Sequence, residues 1–246
     1  MERFGRDLAG RYTFTRLLGT IEQIEFKFTG PFHWERGSTT TGPIDSNLPL
    51  ALSSPFDNAS LHQQSQRVRL ASYELNRCYL GDELSKFYYG LRIIDHGEEF
   101  QLESTQGATI SQFGLRADNL LAGWQLGLQL NRPLSQRLSV GIGTSGGLYG
   151  DFAKGVLTST TGSSTNADLR DSKLRLTTVW EMIARTSYRI SENVVATAGY
   201  ELWYFPSLTT VADQRLNQAA QSPAFALRTS DDQLFRGWTV GLSARF

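Results

Sequence analysis

From about Thr20 to the C-terminus, apolar and polar residues repeatedly alternate with a period of two, which is the signature of strands with one apolar face. Ile24, Phe26 and Phe28 oppose Gln23, Glu25 and Lys27. Ala71, Tyr73 and Leu75 oppose Ser72, Glu74 and Asn76 in a strand expected over 68–77. Phe87, Tyr89, Leu91 and Ile93 alternate against Tyr88, Gly90, Arg92 and Ile94. Gly97 then predicts a bulge, because Phe100 and Leu102 carry the apolar face in the opposite parity. Leu120 to Leu130 alternates against Gly123, Gln125, Gly127 and Gln129, and Leu138 to Leu148 against Gly141, Gly143 and Ser145. Leu174, Leu176, Trp180, Met182 and Tyr188 share a face opposite Lys173, Arg175, Glu181 and Arg185. Val194 to Tyr204 returns, with Thr197, Gly199 and Glu201 on its other face. The last strand places Trp238, Val240, Leu242, Ala244 and Phe246 opposite Gly237, Thr239, Gly241, Ser243 and Arg245.

Arg11 to Arg16 alternates only weakly, so residues 1–18 read as an N-terminal lead-in or an extra strand, and residues 19–246 as one β-domain. The connections alternate in length. Short ones are expected near 79–85, 131–136 and 191–193, and long ones near 31–64, 103–117, 154–172 and 206–232. This order predicts an all-β fold: an antiparallel up-and-down β-barrel of about eight strands, with an upper limit of ten. Short turns at one end and long loops at the other are what transmembrane barrels have.

Alternation does not say which face meets solvent. A soluble lipocalin-like carrier turns the apolar face inward, and a membrane barrel turns it outward. The polar face here is rich in glycine and carries both signs of charge in mid-strand. That suits a narrow interior in which Glu25, Lys27, Glu74, Arg92, Glu181, Arg185 and Glu201 pair as a lumen charge network. The apolar face then presents an aromatic belt of Phe87, Trp180, Tyr188, Tyr204, Trp238 and Phe246 to lipid. Trp238 and Phe246 lie eight residues apart on one face. That is roughly 27 Å along a strand at about 3.4 Å per residue.

Composition narrows the classes. Net charge is zero, with 24 basic and 24 acidic residues, and no nucleic-acid motif is present, so a polyanionic partner is not expected. No apolar run approaches the length of a membrane helix. The single Cys78 excludes an intramolecular disulfide and a cysteine-based zinc site. Met1-Glu-Arg-Phe-Gly-Arg is not a signal peptide, so on the barrel reading the chain is mature or truncated.

The stretch Tyr89-Gly-Leu-Arg followed by Glu98-Glu-Phe, the stretch Gly199-Tyr-Glu-Leu-Trp, and the terminal Phe246 resemble a family of bacterial outer-membrane β-barrel proteins of unassigned function. The resemblance covers roughly Thr20 to Phe246 and rests on structural motifs. It implies a barrel in the Gram-negative outer membrane, contact with lipid, and insertion by the barrel-assembly machinery through the terminal strand. It implies no chemistry.

Three catalytic or binding motifs compete with that reading. Gly141-Ile-Gly-Thr-Ser-Gly146 matches a dinucleotide pattern, but no helical periodicity follows it. Asp95-His96, with Ser104 or Ser111, is the only grouping that suggests acyl transfer or hydrolysis at a rim, and no nucleophile motif accompanies it. His33 and His62 share one long connection without metal-ligand spacing. No metal, cofactor or enzymatic activity is therefore expected. The expected role is structural or surface-binding, through long outer loops over a plugged barrel and toward an unknown ligand. A narrow porin-like channel and a rim enzyme or soluble carrier are the alternatives.

Overall fold

The computed structural model describes residues 10–44, 48, 56–81, 84–214 and 227–244. Among these residues nine antiparallel strands form one sheet in chain order. They are β1 (Gly10–Leu17), β2 (Glu22–Ile44), β3 (Ala59–Leu80), β4 (Ser85–Gln106), β5 (Thr109–Pro133), β6 (Leu138–Thr161), β7 (Ser164–Arg189), β8 (Val194–Leu208) and β9 (Asp231–Ala244). Nine lies inside the expected range. Residues 10–17, ambiguous in the sequence, form a strand paired with β2 from Gly10↔Gly30 to Leu17↔Gln23.

The sheet is not closed, which corrects the expectation of a complete barrel. Among the described residues β1 pairs only with β2 and β9 only with β8. Nine up-and-down strands leave the two edge strands running in the same direction, so joining them directly would break the antiparallel ladder. The sheet nevertheless curls until its ends approach. Trp34 of β2 stacks on Phe235 of β9 with ring centroids 5.6 Å apart, and Arg11 of β1 pairs with Glu201 of β8.

Connections between odd and following even strands are short and lie at one end, here the lower end. At the upper end two of the expected long loops are not loops. The regions 103–117 and 154–172 are strand almost throughout, and the chain reverses at Gly107 and Gly162, whose φ values of 61° and 58° suit glycine in a tight turn. β2 and β3 likewise extend into the region 31–64.

These segments escaped the period-two reading because strand polarity inverts part-way up. In the lower part of β5, Leu120, Trp124, Leu126, Leu128 and Leu130 are exposed on the outer face, while Gln125 is buried on the inner one. In its upper part the outer face carries Gln112, Arg116 and Asp118, and Phe113, Leu115 and Ala117 are buried inside. β4 inverts at the same level. Leu91 and Ile93 face out and Arg92 in; above them Glu99, Gln101 and Glu103 face out and Phe100 and Leu102 in.

The bulge expected at Gly97 is absent, since Arg69↔Gly97 and Gly97↔Asp118 pair without a register shift. The strand stays regular and the environment of its two faces exchanges. β2 meets the same boundary differently. A register shift between Thr29 and Phe32, at Gly30-Pro31, turns even-numbered residues from outward Ile24 and Phe26 to inward Phe32 and Trp34.

The interior is therefore layered. A polar layer occupies the lower part. Above it Leu70, Ile94, Leu121, Tyr149, Trp203 and Phe205 form one apolar cluster. Higher still, Phe56, Phe100, Phe113, Leu115, Leu157 and Val211 form a second.

Candidate functional site

The polar layer is built by inward residues of seven strands, β1 to β5, β7 and β8. Arg92 of β4 is its centre and is almost wholly buried. Its Nη1 lies 2.8 Å from Glu181 Oε2 on β7, and its Nε donates to Ser72 Oγ at 2.8 Å. The guanidinium also lies over the Trp203 ring, 4.5 Å from its centroid. Glu74 of β3 takes Lys27 Nζ at 3.0 Å and stands 3.7 Å from Arg92 Nε. Gln125 Nε2 donates to both Glu74 and Asn76 at 2.9 Å. Lys86 Nζ reaches Glu25 at 2.6 Å. The Arg11–Glu201 pair completes the layer. Charges taken out of water are held only when paired, and Glu25, Glu74, Glu181 and Glu201 each have a basic partner here.

All seven residues expected in a lumen network face this interior, but they do not form one network. Lys27, Glu74, Arg92 and Glu181 are linked directly. Glu25 and Glu201 are taken by Lys86 and Arg11, which the sequence reading omitted. Strand parity with Tyr88 and Arg92 was the signal that placed Lys86 inside. Arg185 has no ion pair or hydrogen bond among the described residues, and its Nε is buried without a partner. Phe87, Trp180, Tyr188, Tyr204 and Trp238 are exposed on the outer face. Phe246 lies outside the described residues.

A second polar cluster was not legible at all. After β8 the chain turns into the concavity, and residues 211–214 form one helical turn. Asn119 clamps the turn's entry: its Nδ2 donates to Thr209 O at 2.8 Å and its Oδ1 accepts from Thr209 N at 3.0 Å. Glu98 Oε2 accepts from Val211 N at 3.0 Å. Thr209, Thr210, Val211 and Gln214 are buried. Beyond it, Asp171 accepts from Leu227 N at 2.8 Å, and Arg175 donates to Thr229 O. The described parts of the connection 206–232 thus fold inward, which corrects their reading as an outer surface loop. Their buried polar side chains supply the backbone partners that an inward chain requires.

Glu98 sits above the level at which the outer face becomes polar. Burial pushes its carboxyl up to about 7, nearby Asp231 adds to this, and the Val211 N–H opposes it. His96 is fully buried, 3.6 Å from Glu98 and packed edge-on against Phe235.

The other motifs do not assemble. Asp95 is on the outer face bonded to Arg69 at 3.1 Å, on the opposite side of the strand from His96. Ser104 pairs with Ser111 and His62, far up the strand from His96. Gly141–Gly146 lies within β6, with strand on both sides and no helix N-terminus to receive phosphate. His33 and His62 face opposite sides of the sheet.

Compared with known protein families and with curated proteins, the chain matches none.

Proposed function

We propose that this chain forms the wall of a bacterial outer-membrane β-barrel protein whose lower half crosses the bilayer. One observation carries the reading: the two faces of the sheet exchange polarity at a common height. A soluble barrel keeps its apolar face inside along the whole strand. Here the lower strands are apolar outside and charged inside, and only the upper strands have the polarity of a soluble protein. Leu126, Trp180, Trp238, Val240 and Leu242 expose more than half of their surface, and an apolar band of that extent calls for lipid or a partner. On β5 the band runs from Leu120 to Leu130. Ten residues at about 3.4 Å, tilted by roughly 40°, give a height of about 26 Å, close to the apolar band of outer-membrane barrels.

The role favoured is structural and surface-binding, carried by stiff β-hairpins that stand above the band. Lipid is the partner of the lower outer face, and the barrel-assembly machinery the agent of insertion. The channel alternative is disfavoured by the side chains that cross the interior in the Arg92 layer and the Trp203 cluster, and by the inward turn at 209–214.

Tryptophan depth tests the reading. Single-tryptophan variants retaining Trp180 or Trp203 are reconstituted in bilayers containing brominated lipid. Strong quenching of Trp180, with Trp203 protected, is expected. A chain that stays soluble without detergent and shows quenching of neither overturns it.

A further inference from the structure

We propose that the lower end of the interior binds one small oxyanion, of the phosphate or carboxylate class, with Arg185 as its principal ligand. The inference goes beyond the membrane reading and does not depend on it. It starts from a charge imbalance. In the polar layer Glu25, Glu74, Glu181 and Glu201 each have a basic partner: Lys86, Lys27, Arg92 and Arg11 respectively. Four carboxylates are matched by four bases, and Arg185 is the fifth base. No ion pair or hydrogen bond reaches it among the described residues, and its buried Nε has no acceptor.

A cavity lies where the missing acceptor belongs. It has a volume of about 90 Å³ and is lined by Arg11, Lys27, Lys86 and Arg185 together with Glu25 and Glu181. That is room for a few waters or one small oxyanion, not for a sugar or a nucleotide. Its walls thus carry four positive and two negative side chains. The two register neighbours of Arg185 on the sheet are Gly141 and Gly199, so no side chain crowds its base from either adjacent strand.

Arg185 is half-buried, and an Nε shut off from water without an acceptor is costly; its planar fork suits two oxygens of an oxyanion better than a spherical halide. Lys27 and Lys86 already have carboxylate partners, so they add attraction without being the deciding ligand. A cation is disfavoured because every carboxylate at the cavity is taken.

Titration of the folded full-length chain with inorganic phosphate, followed by calorimetry and by ³¹P line broadening, tests the site. Saturable binding of one phosphate per chain is expected, with at least a tenfold loss of affinity in Arg185→Gln. Arg189→Gln, which removes an exposed charge at the end of the same strand, is expected to bind as the wild type does. If Arg185→Gln does not fold, Arg185→Lys keeps the charge but loses the fork, and a weakened, still saturable isotherm is expected. Non-saturable binding, or equal loss in Arg185→Gln and Arg189→Gln, overturns the proposal, as does unchanged affinity in Arg185→Lys. Acetate in place of phosphate separates the two oxyanion classes: competition with phosphate places both in this one cavity.

Discussion

Arg92 on β4 and Glu181 on β7 are 89 residues apart in sequence and 2.8 Å apart across the interior. The pair ties two strands that share no backbone hydrogen bond, and it does so beside Trp203, where the charge is shielded from water. Removing one partner leaves the other buried and uncompensated. Arg92→Met is therefore expected to destabilise the fold by about 3–5 kcal/mol, because Glu74 and Glu181 both lose their contact. Arg92→Met combined with Glu181→Leu is expected to recover part of the loss. Urea midpoints from the heat-modifiable gel shift of refolded protein measure both, and equal midpoints for wild type and Arg92→Met would remove Arg92 from the centre of the layer.

The Asn119 side chain closes a two-bond clamp on Thr209. Asn119→Ala removes both bonds and leaves buried backbone groups unpaired. A loss of about 1–3 kcal/mol is expected, together with faster amide exchange confined to residues around 209–214. Uniform exchange rates along β8 and the turn would mean that the clamp holds nothing in place.

Glu98 makes the same inward turn sensitive to pH. Its raised pKa means that the folded chain still holds a proton which the unfolded chain has released. Its contribution to stability is thus present at low pH, falls as pH rises through 4.5 toward about 7, and changes no further above that. Glu98→Gln keeps an acceptor for Val211 and does not titrate. The variant is expected to gain roughly 3 kcal/mol relative to wild type between pH 5 and pH 8, at about 1.4 kcal/mol per pKa unit. Thermal unfolding at the two pH values reads the difference, and parallel curves would sink it.

A matched pair of substitutions on β5 tests the polarity boundary. Leu126 and Gln112 both point outward, on either side of it. In bilayers Leu126→Arg is expected to cost about 2–4 kcal/mol or to block insertion, and Gln112→Arg about nothing. If both were tolerated equally, the outer face at Leu126 would be in water.

Strand existence, strand parity and the mixed-charge interior are written in the alternation itself. Glu74, Arg92 and Glu181 face inward because each lies one residue from an exposed apolar neighbour, and period two leaves no other choice. Trp180 and Trp238 face outward for the same reason. The sequence alone also located three of the short connections at one end of the sheet, near 79–85, 131–136 and 191–193.

What required tertiary structure was everything that depends on where water ends. A single strand can exchange its apolar face without a bulge, as β4 does at Gly97, or by means of one, as β2 does at Gly30-Pro31. Local pattern cannot distinguish a strand entering a new environment from a strand that has stopped, so the upper halves of β4 to β7 read as loops. Partner choice was equally hidden. Arg11 finds Glu201, and Asn119 finds Thr209, only because the sheet curls and the chain after β8 turns inward. That Arg185 is the base left over in the polar layer follows from assigning the layer's other pairs in three dimensions, since charge on a strand is local but its neutralisation is not.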